Sequence, residues 1–316
     1  MEDADGDAEG PADGGQTFHA ARLDGNRVWR VDTSRGTVLQ KLYAERGGWL
    51  RACGREFFSS LRGAKTGTRA AARRATEARL LALWRQHGCD APVDLSAEHP
   101  DLAGPHTLVM QFVPGPLLSD RLRDTALPPA ARAALLSAFG AAWGRRHRLA
   151  LQLREPALLQ EHGTLQHVIV AGGPATPRFV TFDHENAFAR AGDMEAHVAK
   201  EVASVLPSLY RSQPRPDGKR LETGVKDAQF REDVKAVLAG YGEAELLRAA
   251  CARYLRPSGA VWGLICRVDR GREERSGARA GKFRVMGLAE EVVGARGASA
   301  AVRERSSASP ARPNRE

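Results

Sequence analysis

Between Gln160 and Ala187 the chain reads QEHGTLQHVIVAGGPATPRFVTFDHENA, and the rest of its 316 residues is organised around this stretch. Two short β runs, Val168-Ile169-Val170 and Phe179-Val180-Thr181-Phe182, flank the turn signal Gly172-Gly173-Pro174. Runs this short, rich in β-branched and aromatic residues and divided by Gly and Pro, predict a hairpin. A hairpin folds the chain back on itself. It therefore brings the segment His162–His167 beside Asp183 at its open end.

Length and charge bound what can surround this hairpin. A chain of 316 residues can bury a sizeable core in one large or two small domains. The formal charge is +9 and the pI near 9.8. Yet the charged residues within 1–15 are all acidic, Glu2, Asp3, Asp5, Asp7, Glu9 and Asp13, and this stretch reads as a disordered tail. A basic body suits a polyanionic partner such as ATP, an anionic lipid headgroup or a nucleic acid. No RNP-type aromatic motif, helix-turn-helix signal or zinc finger occurs, so no specific nucleic acid is expected. Cys53, Cys89, Cys251 and Cys266 are scattered and form no C-x-x-C pair, which argues against a zinc site or disulfide framework and for a reducing compartment. The acidic start is unlike a signal peptide, and no apolar run reaches the roughly 18 residues of a membrane span. Hydrolase signatures of the G-x-S-x-G and H-E-x-x-H kinds are missing.

Taken in order, the chain opens with three β runs, Thr17–Leu23, Val28–Val31 and Thr37–Tyr43, joined by turns at Asp24-Gly25-Asn26 and Thr33–Gly36. Lys41 lies among the apolar residues of the third run. Residues 45–68 form a basic, Gly-containing insertion. A helix over Thr68–Gln86 follows, with Ala75, Leu80, Leu81, Leu83 and Trp84 as its apolar stripe and Glu77 as its one carboxylate. Ala91–Leu95 and Thr107–Val113 read as strands, the second ending in Pro114-Gly115-Pro116. A short helix at Leu117–Arg123 and a long one at Pro128–Leu151 lead to the hairpin. His147, in the run R-R-H-R, reads as part of a solvated basic face or as a partner of its helix's C-terminus. Beyond the hairpin, helices are expected at Met194–Tyr210 and, after a polar loop at Ser212–Thr223, as one region at Asp227–Leu255. Residues 257–316 lose periodicity and read as a mostly disordered basic tail, with a strand at Val261–Val268 as the exception.

Lys41, Glu77, the His162 loop and Asp183, in that order and with these elements between them, resemble the lipopolysaccharide kinase family of Kdo and core-heptose kinases, within the protein-kinase-like superfamily. The resemblance covers about residues 17–210. It implies an α+β, two-lobed fold with an N-lobe at 16–114 and a mainly helical C-lobe at 115–256. It also implies roles. Lys41 would grip the nucleotide phosphates, Glu77 would orient Lys41, and backbone groups from Gln111 to Val113 would face the adenine. Asp183, and Glu185 beside it, would supply carboxylates to Mg²⁺. The implied cofactors are ATP and Mg²⁺, and the acceptor is a sugar hydroxyl of a lipopolysaccharide core or related glycolipid. The location implied is cytoplasmic, with peripheral contact at the cytoplasmic face of an anionic inner membrane. Read without the resemblance, Lys41 is a solvent-facing strand lysine, Glu77 pairs with Arg73 or Arg74 on its own helix, and Asp183 caps a turn.

The sequence departs from the family in two places. No G-x-G-x-x-G loop precedes Lys41. In the loop, His162-Gly163 matches the start of a His-Arg-Asp or His-Gly-Asp motif, but Thr164 stands where the aspartate belongs. His167 falls on the following Asn/His position only if two residues are missing. Counting back from His167 without a gap puts His162 itself at the catalytic position, and both alignments stand. His162, Thr164 and His167 are thus the catalytic candidates. The absent carboxylate opens the alternative of a pseudokinase serving as a nucleotide-binding or regulatory module.

Overall fold

The computed structural model describes residues 19–23, 26–45, 69–185, 187–188, 192–214, 222–256, 263, 267–268, 270–271 and 281–307, with side chains from 26 to 295. The acidic segment 1–15, nearly all of the insertion 45–68, much of the loop 212–223 and five of the eight residues of the strand expected at 261–268 lie outside the described residues.

Three N-terminal strands form as the turn chemistry predicts: β1 (His19–Leu23), β2 (Asn26–Thr33) and β3 (Gly36–Leu42). A fourth, β4 (Thr107–Gln111), pairs with the far side of β3, giving an antiparallel sheet in the order β1-β2-β3-β4. Lys41 sits opposite Val28 on one side and Leu108 on the other. A strand hydrogen-bonded along both edges is a rigid mount for a functional side chain. The strand expected over Ala91–Leu95 is instead a single bridge from Asp94 to Met110. Pro92 has no amide to donate, and the Asp94 carboxylate accepts the Ser96 amide at 2.9 Å, which turns the chain away.

Helix α1 (Ala70–Gln86) lies beside this sheet. Its buried residues, Ala70, Arg73, Thr76, Glu77, Leu80, Leu81 and Trp84, are related by steps of three and four positions and so share one face. Two of them are charged, and buried charges need partners.

The C-terminal part is mainly helical. Helix α2 (Leu118–Arg123) and the long α3 (Pro129–Leu153), opened by Pro128-Pro129, precede a 3-10 turn at Leu165–His167. The expected hairpin follows as β5 (Val168–Ala171) and β6 (Arg178–Thr181), with Val168 opposite Thr181. Then come α4 (Met194–Arg211), α5 (Thr223–Tyr241) and α6 (Ala244–Leu255). The single helical region expected at Asp227–Leu255 is broken after Tyr241, where Gly242 takes φ 79° and ends α5 in the left-handed region.

A further correction concerns the C-terminal tail. Residues Lys282–Ser307 form a helix, α7, whose Phe283, Val285, Met286, Ala289 and Val293 are buried in the main core against α4, α5 and α6. The apolar positions keep helical spacing, but intervening Arg284, Gly287, Glu290 and Glu291 dilute them. The fold class is α+β. No helix among the described residues is long and apolar enough to cross a membrane.

Candidate active site

Lys41 is turned inward, 3% exposed, rather than toward solvent. Its Nζ donates to Glu77 Oε2 at 2.7 Å and to Asp183 Oδ1 at 2.5 Å. Glu77 is fully buried, and its Oε2 also accepts the Tyr43 hydroxyl at 2.5 Å. Arg73, the rival partner for Glu77 on its own helix, goes elsewhere: it donates to Glu185 at 2.8 Å and to the Ala44 carbonyl. Three elements far apart in sequence, β3, α1 and the end of the hairpin, therefore meet at one ammonium group. Burial alone would lower the pKa of that ammonium. The charges of Glu77, Asp183 and Glu185, with the hydrogen bond to Asp183, outweigh burial and hold it above its ordinary range.

Asp183 lies two residues past the end of β6. Its φ of 64° lies in the left-handed region, which a non-glycine residue enters only where the surroundings impose it. The neighbouring His184 helps to impose it. Its ring is buried against Trp84, with centroids 4.2 Å apart, and its Nε2 contacts the Thr181 carbonyl at 3.1 Å. Burial holds His184 neutral, with its pKa lowered to about 3. Asp183 thus points at Lys41, while its other oxygen, Oδ2, lies 3.3 Å from His167 Nε2. Desolvation would raise the Asp183 carboxyl, but Lys41 and His167 more than cancel it and hold its pKa at about 2. The carboxylate is ionised throughout the physiological range and 13% exposed, so it is reachable from solvent.

The remaining sequence candidates fall elsewhere. His162 is exposed at the start of the loop, its Nε2 3.9 Å from Glu161 Oε2. Thr164 turns its Oγ1 inward, buried and without a hydrogen-bond partner, toward a cavity lined by Trp84, Trp143, Arg146 and Glu201. Glu185 is 4% exposed and its Oε2 accepts both Arg73 and Asn26. Gln111 ends β4, exposed, and its amide is taken by the Val93 carbonyl at 2.9 Å. Val113 packs on Ile169, Ala171 and Val180 of the hairpin. Lys41, Glu77, Asp183 and His167 are brought together; His162, Thr164, Gln111 and Val113 are not part of that cluster.

Sequence reading missed the group that holds the loop. Glu201 of α4 is fully buried, accepts the Gln160 amide at 2.8 Å and pairs with Arg146, while Trp143 donates to it at 3.1 Å. The loop's other end is tied to the same helix, the Leu165 amide donating to Ser208 Oγ at 3.0 Å. Surrounding positive charge outweighs desolvation and holds Glu201 below the usual carboxylate range. His147, expected on a solvated face, is buried here, with Nδ1 2.6 Å from the Tyr241 hydroxyl. A signal existed: Glu201 falls on the helical face that otherwise carries Val198, Val202, Val205 and Leu209.

A buried lysine on the third strand, paired with a glutamate of the next helix and facing an aspartate after a hairpin, is the arrangement found in protein kinases. The α+β fold of this chain brings its own three residues into that arrangement. No family model matches the chain, and no curated protein does. Among solved structures it is similar to WaaP in complex with acyl carrier protein, at 13% identity over 75% of this chain and 86% of that one, with a TM-score of 0.41. It is also similar to a protein of Ralstonia eutropha JMP134 assigned as an aminoglycoside phosphotransferase, at 16% identity over 89% and 93%, with a TM-score of 0.37. Likeness at this level decides neither reaction nor acceptor.

The residues present suit Mg²⁺ carried on a nucleotide. Among the described residues no group of three or more His, Cys, Asp or Glu forms a metal cage. Mg²⁺ bound to ATP needs only one or two carboxylates, because phosphate and water oxygens complete its shell. A reachable, ionised Asp183 beside Lys41 meets that need.

Proposed function

We propose that the protein is an ATP-dependent phosphotransferase of the kinase type, acting on an alcohol group. One observation carries this reading: Lys41 bridges Glu77 and Asp183 inside a single buried cluster. The ammonium is fixed on one side by Glu77, so on the other it presents a charge to anionic oxygens. Asp183 would hold Mg²⁺, which supplies charge neutralisation for the phosphate oxygens. Bound nucleotide would take over the part of Lys41 that now faces Asp183, and the segment Gln111–Val113 would border the adenine.

In the transfer the acceptor oxygen bonds to the γ-phosphorus as the bridge to the β-phosphate breaks, leaving ADP. The acceptor's proton must go to a base. We assign it to His162, exposed five residues before His167, whose imidazole is the kind of group that accepts a proton in general base catalysis. That choice follows the ungapped alignment, in which His162 itself falls on the catalytic position. Thr164, facing inward, takes no part. As acceptor we infer a sugar hydroxyl of a lipopolysaccharide core or similar glycolipid, reached at the cytoplasmic face of a membrane by peripheral contact of the basic body.

Calorimetric titration with Mg·ATP tests the nucleotide site, and a screen of glycolipid acceptors with labelled ATP tests transfer. Binding with no transfer to any sugar, lipid or protein would favour a second reading, a pseudokinase. It draws on the loop itself, where no aspartate occupies the usual base position.

A further inference from the structure

Glu185 and Arg73 do not take part in the Lys41 cluster, yet they are built as tightly. Arg73 is 1% exposed and Asn26 likewise 1%. Glu185 Oε2 accepts Asn26 Nδ2 at 2.6 Å and Arg73 Nη1 at 2.8 Å, and Arg73 Nη1 also reaches Asn26 Oδ1 at 3.1 Å. Asn26 Oδ1 accepts the Ala44 amide at 3.3 Å, and the Ala44 carbonyl accepts Arg73 Nη2. The group therefore ties together the start of β2, the chain just past β3, helix α1 and the segment after Asp183. Each anchor stands close to a member of the Lys41 cluster. Arg73 lies one helical turn before Glu77 on the same buried face, Ala44 follows Tyr43, and Glu185 is two residues past Asp183. The Tyr43 ring lies between the two groups, 5.0 Å from Lys41 Nζ and 5.6 Å from the Arg73 guanidinium, with its hydroxyl on Glu77.

We propose that Arg73, Glu185 and Asn26 are positioning residues: they clamp helix α1 to the Asp183 segment, so that Glu77 and Asp183 reach Lys41 together. Two ion pairs, Lys41–Asp183 and Arg73–Glu185, cross the same junction in parallel. Removing the outer pair frees α1 to move, and the inner one loses its geometry. Glu185 then acts through Arg73 rather than as a ligand of Mg²⁺. The inference rests on the phosphotransferase reading for its effect on nucleotide, but the clamp itself is testable without it.

The test uses the full chain and two readouts, hydrogen exchange resolved to residues 70–86 and 180–188, and calorimetric affinity for Mg·ATP. In the wild type the two segments, clamped together, should open as one unit with matched protection. Glu185→Gln and Arg73→Met should each speed exchange in both segments and weaken Mg·ATP by about tenfold, and the double variant should be no worse than the poorer single. Independent opening of the two segments in the wild type would overturn the clamp even if no variant folds. So would additive losses in the double variant, or a loss in Glu185→Gln that leaves Arg73→Met like the wild type, which would mark Glu185 as a metal ligand. If the wild type binds no Mg·ATP but the exchange pattern holds, the phosphotransferase reading fails and the clamp stands.

Discussion

Thr164 and His162 sit two residues apart and face opposite environments, which makes their substitutions informative. Thr164 Oγ1 is buried. Thr164→Asp would thrust a carboxylate into the interior near Glu201, so it is expected to cost about 2–4 kcal/mol of stability and to leave transfer no faster. A rise in turnover would instead show that residue 164 holds the base position. His162 is exposed. His162→Ala should therefore leave the melting temperature unchanged while lowering turnover by about 10²–10⁴, the usual share of general base catalysis. Loss of melting temperature along with turnover would reduce His162 to a support of the loop. At this scale the sequence was legible where local chemistry decides. Lys41 within a β run and Asp183 at a strand end could be picked out because their neighbours constrain them. Arg73, Asn26 and Glu201 could not, since their partners lie 112, 159 and 55 residues away, respectively, and only folding supplies them.

Helices α3 and α5 cross with almost no side chain between them. A Cβ added at Gly240 would run into the Ser137 carbonyl, one at Gly140 into that of Val237, and one at Gly144 into that of Tyr241. All the obstacles are backbone, so neither helix can yield by a rotamer change. Gly240→Ala should push the helices apart and destabilise by about 1–3 kcal/mol or more, read by denaturant titration. A stability within a few tenths of the wild type would mean that the crossing is looser than its geometry. Elements were legible where periodicity and punctuation agree, as in the hairpin strands β5 and β6 and the start of α3 at Pro128-Pro129. They were hidden where composition blurs the pattern. In α7, Arg284, Gly287, Glu290 and Glu291 break up the run of Phe283, Val285, Met286, Ala289 and Val293, and only the presence of α4, α5 and α6 shows that these five share a face.

For the whole molecule, pH reports on the buried network beneath the loop. Burial lowers the His147 pKa, and the attraction of Glu201 only partly offsets it. The unfolded chain therefore takes up this proton first, and stability falls as pH drops below about 6.5. Glu201 has the opposite chemistry and the same sign. Its carboxyl is depressed in the fold, so its contribution is present above about 4.3 and is lost as pH falls further. The melting temperature should decline in two limbs on acidification, and His147→Gln should flatten the one that begins below about pH 6.5. An unchanged slope in that variant would assign the limb to another group. The two halves of the molecule meet at one ammonium, and under the proposed reading that junction is the nucleotide site. Calorimetric titration of the wild type and of Asp183→Ala with Mg·ATP decides whether it is one: saturable binding by the wild type, abolished in the variant, is the expected result, and a wild type that releases no heat of binding at any attainable nucleotide concentration would contradict it.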